Sequence, residues 1–151
     1  MRTTSRSRTL WIIIFAIMLA TACQTYTDTL TGGKTAADET KITTALRAIA
    51  SAQAMYAVAH EGNYGTFEQL VSNNNLDTRF SGERPVIGGY VLTMKITPPV
   101  SGAQPASFAV NADPQPTAGA ASARHFYLDS TGNAVHVNET QPATASDKPL
   151  P

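Results

Sequence analysis

From Asp38 to about His60 the chain contains no proline or glycine, and its apolar residues recur at three- and four-residue steps. At that spacing Ile42, Ala45, Leu46, Ile49, Ala52, Tyr56 and Ala59 share one side of a helix. Alanine is abundant, which favours helix. Asp38 and Glu39 suit the positive end of the helix dipole, and Gly62 is placed to end the helix as a left-handed cap. A helix with one apolar side draws most of its stability from what it packs against. The other side carries Thr43, Arg47, Ser51 and Ala54 with little charge, which suits a second contact surface or, more plainly, a solvated alanine face.

The rest of the chain supplies the partner layer. Asn63-Tyr64-Gly65 reads as a turn, and Thr66-Phe67-Glu68-Gln69 as a capping box opening a short second helix with Phe67, Leu70 and Val71 inward. Ser72–Ile87 and Pro98–Pro105 read as long loops. Tyr90–Ile96 alternates, with Tyr90, Leu92, Met94 and Ile96 on one face, and Ser107–Asn111 follows with Phe108 and Val110 inward. His125–Leu128 and Ala134–Val137 form a further pair, joined by a tight turn over Asp129–Gly132 with Gly132 suited to positive φ. Helices followed by a run of strands specify an α+β fold. The expectation is one long N-terminal helix plus a short helix, packed on a three- to four-stranded antiparallel sheet over residues 38–137. Residues 138–151, with Pro142, Pro149 and Pro151 and little apolar content, are expected to be disordered.

The N-terminal end carries a different signal. Arg2, Arg6 and Arg8, with no acidic neighbour, precede an apolar run from Leu10 that ends at Cys23, the only cysteine. This has the parts of a secretory signal over residues 1–22. Leu19-Ala20-Thr21-Ala22-Cys23 resembles a bacterial lipobox, which implies lipidation of Cys23 and a membrane partner through that lipid. The lipobox usually has leucine three residues before the cysteine; here Ala20 stands there and Leu19 one place earlier. The alternatives are a secreted chain cut near Ala22 with a free Cys23 thiol, and an uncut anchor. The run is about 13 residues long, short of the ~20 that span a bilayer. Gln24 in place of an aspartate favours the periplasmic face of the outer membrane. Residues 23–37, rich in Thr and Gly, read as a flexible tether.

Charge and residue types narrow the function classes. The whole chain has a formal charge of zero, and three arginines leave with the signal, so the remainder stands at about −3. That balance opposes nucleic-acid binding, which needs a basic face. Gly33-Lys34-Thr35 has Asp28 where a phosphate-binding loop needs its first glycine. His125 and His136 would be neighbours if their hairpin closes on the tight turn, but two ligands fall short of a structural zinc site. Glu61, Glu68, Asp77, Glu83, Asp113 and Asp129 fall in turns or caps, and no Gly-x-Ser-x-Gly elbow occurs. Tyr56, Tyr64, Tyr90 and Tyr127 suit a ligand platform or, more plainly, a helix-to-sheet seam with hydroxyls at the rim. No catalytic, metal or cofactor-binding residue is assigned.

Ala45-Leu-Arg-Ala-Ile-Ala-Ser-Ala-Gln-Ala-Met-Tyr56 resembles the second half of the long helix in type IV pilins and type II secretion pseudopilins. Gly62-Asn-Tyr64, Gly89-Tyr-Val-Leu92, Phe108-Ala-Val-Asn-Ala-Asp-Pro114 and Arg124–Gly132 are similar to later parts of a minor pilin-like subgroup, covering roughly residues 42–137. The resemblance implies a pilin-like domain. It does not imply polymerisation, because the apolar run is short, lacks a glutamate at its start and ends at Cys23. The expected function is a lipid-anchored, non-catalytic envelope module, structural or interacting, accessory to a pilus or secretion system. The alternatives are a genuine pseudopilin or minor pilin with a divergent leader, and a periplasmic lipoprotein that binds a ligand or metal.

Overall fold

The structure is a computed structural model, and it describes residues 36–101, 103–115, 123–132 and 134–150. The signal, Cys23 and the tether up to residue 35 lie outside the described residues. Residues 36–59 form helix α1, so Ala36 and Ala37, expected in the tether, are helical. Ile42, Ala45, Leu46, Ile49, Ala52 and Tyr56 are buried, as their spacing predicts, whereas Ala59 is exposed. The helix stops where Glu61 and Gly62 take φ of 55° and 83°, and the Gly62 N–H donates to Ala57 O at 2.9 Å. Helix α2, Phe67–Ser72, opens with the full capping box: Gln69 N–H donates to Thr66 Oγ1, and Thr66 N–H to Gln69 Oε1.

Six strands follow: β1 Val86–Ile87, β2 Tyr90–Thr97, β3 Ser107–Pro114, β4 His125–Asp129, β5 His136–Asn138 and β6 Lys148–Pro149. They form one sheet in the order β1-β2-β3-β4-β5-β6, every pair antiparallel. The fold is α+β, with six strands where three to four were expected. The first extra strand, β1, lies in the span read as the loop Ser72–Ile87, which also holds a 3₁₀ turn at Thr78–Phe80 capped by Asp77. Gly88 and Gly89, with φ of 58° and 80°, make the two-residue turn joining β1 to β2. Two successive positive φ values match the twist of a hairpin, and glycine adopts them without strain.

The second extra strand, β6, corrects the disordered tail. Residues 138–150 fold back because Asp147 holds them. Its carboxylate accepts from Thr144 N–H at 2.7 Å and Oγ1 at 2.9 Å, and from Asn138 Nδ2 at 2.8 Å. Its carbonyl oxygen lies 2.7 Å from His136 Nδ1. Leu150 N–H donates to Val135 O at 2.7 Å, and Ala143 is only 1 % exposed. Polar turn chemistry, not apolar content, orders this segment. The β4–β5 connection is also wider than a tight turn over Asp129–Gly132. Tyr127 pairs with His136, and Gly132 is not at positive φ. Asp129 Oδ1 closes the bend instead, accepting from Thr131 N–H and Oγ1.

One core cluster joins α1, α2 and one face of the sheet. Leu46, Ile49, Leu70, Phe80, Leu92, Val110, Phe126 and Leu128 lie at its centre. The alternation within β2 and β3 places Tyr90, Leu92, Phe108, Val110 and Ala112 toward that core. Val91, Thr93, Asn111 and Asp113 therefore lie on the outer face. The β5–β6 connection crosses that face far enough for Asn111 Nδ2 to donate to Ala143 O at 2.8 Å.

Candidate functional site

The outer face of the sheet gathers most of the polar residues singled out from the sequence. On β4, His125 Nδ1 lies 2.6 Å from Asp113 Oδ1 of β3. Tyr127 donates to Asp129 Oδ2 at 3.0 Å, and its ring meets His136 edge-on at 6.3 Å. His125 is opposite Asn138 and His136 opposite Tyr127, so the two histidines share a face but sit on a diagonal. Each Nδ1 already has an oxygen partner. His60 lies elsewhere, its Nδ1 2.8 Å from Tyr56 O and its ring stacked on Tyr56 at 3.7 Å. No group of three or more His, Cys, Asp or Glu residues placed to hold a metal occurs among the described residues.

The four tyrosines do not form one platform. Tyr56, Tyr64 and Tyr90 knit helix to sheet, with Tyr64 edge-on to Phe108 and Tyr90 tilted against Phe126, while Tyr127 is on the opposite face. Burial pushes the Tyr127 hydroxyl up to about 12, with the hydrogen bond to Asp129 adding to it. Burial opposes ionisation of Asp129, but bonds from Thr131 and Tyr127 outweigh it and hold that carboxyl below its ordinary value. Asp77 accepts from Arg79 N–H. Thus Asp77, Asp113 and Asp129 have structural partners, and Glu61 sits at the helix stop.

A second cluster joins α1 to β4. Arg124 donates to Glu39 through Nε at 3.1 Å and Nη2 at 2.6 Å, a bidentate pair that raises the arginine pKa. The Tyr90 hydroxyl, in a residue 2 % exposed, has no hydrogen-bond partner. Burial, and then the Glu39 carboxylate, push it up to about 12.

Two surface features remain, and sequence reading found only part of them. Along α1, Arg47, Ser51 and Ala54 are exposed as expected, while Thr43 is half-buried and its hydroxyl donates to Glu39 O at 3.0 Å. Met55 and Val58 continue this stripe at 53 % and 90 % exposure. The other feature is an open groove of about 410 Å³ lined by Thr66, Phe67, Glu68, Gly82, Glu83, Met94 and Ile96. Beneath it Gln53, fully buried, donates to Gly65 O at 2.7 Å and to Met94 Sδ at 3.3 Å, and accepts from Gly65 N–H at 2.9 Å. The sequence did signal Gln53: it is the polar residue between Ile49 and Tyr56 on the apolar side of α1. No local pattern marked Glu68 and Glu83 as neighbours across a groove. No protein-family model, curated protein or solved structure matches the chain.

Proposed function

We propose that the chain is a lipid-anchored, non-catalytic envelope protein whose pilin-like domain is an interaction module accessory to a pilus or secretion apparatus. The observation that carries the anchor is the apolar run after Arg2, Arg6 and Arg8 that ends at Cys23. Each acyl CH₂ buried in a bilayer contributes about 0.8 kcal/mol, so two or more chains on Cys23 would hold the protein firmly. The pilin-like reading rests on the resemblance over residues 42–137, and one long helix on an antiparallel sheet is compatible with it. An interaction role is supported by the outer-face carboxylates and imidazoles, whose partners are structural, and by Met55 and Val58, left exposed on α1.

Intact and N-terminal mass spectrometry of the membrane-extracted protein, beside a Cys23→Ser variant, tests the anchor. The expected result is a chain starting at acylated Cys23, with the variant lost from the membrane fraction. An unacylated chain, or one retaining Leu10–Ala22, would remove the anchor and favour a secreted protein or a pseudopilin.

A further inference from the structure

The groove lies along an unfinished edge of the sheet. Strand β1 pairs only with Tyr90 and Val91, and its preceding residue Pro85 accepts from Leu92 N–H at 2.9 Å. Successive residues of a strand aim their main-chain groups at alternate edges. Tyr90 and Leu92 aim theirs at β1, so Met94 and Ile96 aim theirs at the same edge, beyond the end of β1. No strand pairs with them there. Met94 and Ile96 are also groove residues. A row of unpaired N–H and C=O groups beside a side-chain groove is what strand addition uses: main-chain bonds give affinity, and pockets for alternate side chains give specificity.

The lining selects the occupant by charge. Glu68 and Glu83 border the groove, both are exposed, and neither has an ion-pair or hydrogen-bond partner among the described residues. Phe67, Met94 and Ile96 supply the apolar part. We propose that the β2 edge from Met94 to Ile96 takes an extended peptide segment of a partner protein, with basic side chains toward Glu68 and Glu83 and apolar ones between. A second copy of this chain is a poor occupant, because edge-to-edge pairing would bring the same carboxylates of both copies together. The proposal deepens the interaction-module reading and rests on it for the existence of a partner. Its geometry is independent of Cys23, so an unlipidated chain would not overturn it.

The test uses the full chain in detergent micelles and short fluorescent peptides read by anisotropy. The parent peptide alternates lysine and valine, and an acidic twin carries glutamate for lysine. Two further twins are N-methylated on alternate residues, one in each frame. The parent should bind at least about tenfold more tightly than the acidic twin, and methylation in one frame only should cost about tenfold or more. Glu68→Lys with Glu83→Lys should weaken the parent about tenfold. Ile96→Pro should weaken it as well, because it removes an N–H facing the groove and leaves the β2–β3 bonds intact. Far-UV circular dichroism checks that both variants stay folded. Frame-independent binding, equal binding of the acidic twin, or parent affinity unchanged in the charge-reversed variant would each overturn the proposal. So would self-association at this edge that excludes the peptide.

Discussion

Gln53 connects three parts of the molecule through one amide. It spans α1, the turn at Gly65 and Met94 of β2, with both hydrogen bonds to Gly65 buried. Gly65 has no room for a side chain, since a Cβ there would lie 3.0 Å from the Tyr56 ring. The turn is therefore held by main-chain groups that only Gln53 satisfies. Gln53→Leu keeps the volume but strands a buried N–H and a buried C=O, and each such group costs about 1–3 kcal/mol. The expected loss is roughly 2–4 kcal/mol, read from chemical denaturation of variant and parent. A loss under about 0.5 kcal/mol would mean that water replaces the amide.

At the scale of elements, the C-terminal hairpin depends on Asp147. Thr144 N–H and hydroxyl, then Asn138, hold its carboxyl below the ordinary value, so those bonds persist to lower pH than a free aspartate would allow. Asp147→Ala should release residues 139–150 while leaving β2, β3 and β4 paired. Hydrogen exchange should then speed up at Val137 and Leu150 and stay slow at Val110. Slow exchange throughout would show that β6 is held by packing alone. This element also shows where sequence reading reached its limit. Helix α1, the α2 capping box and the inward faces of β2 and β3 were legible because apolar period and cap residues are local. Strands β1 and β6 have two residues each, too short for a period, and exist through partners distant in sequence. The groove was illegible for the same reason: Glu68, Glu83 and Met94 come from separate elements, and no spacing rule links them.

Stability of the whole molecule should fall in alkali, and the buried phenols set where. Tyr90 and Tyr127 are raised from 10.0 to about 12, chiefly by burial. Between those values the unfolded chain has lost protons that the native state keeps, so their contribution is complete below about pH 10 and is lost as pH rises toward about 12. Tyr90→Phe should reduce that fall, leaving the part due to Tyr127. At neutral pH it should be neutral or stabilising by up to about 1 kcal/mol, because the deleted hydroxyl has no partner. Denaturant midpoints measured across the alkaline window for both proteins test this, and a variant clearly weaker at neutral pH would overturn it.

The strand order has a consequence for how the fold is assembled. Each strand lies beside the one before it in the chain, with no crossover. Closure therefore asks for short loops at every step, which carry the least entropic cost and favour rapid folding. A chain emerging from its amino end can lay the sheet down as a ribbon, each arrival meeting an edge already in place. The last strand is also the last to be made, so a chain cut short before Lys148 would lack one border of the sheet and keep the order of the rest.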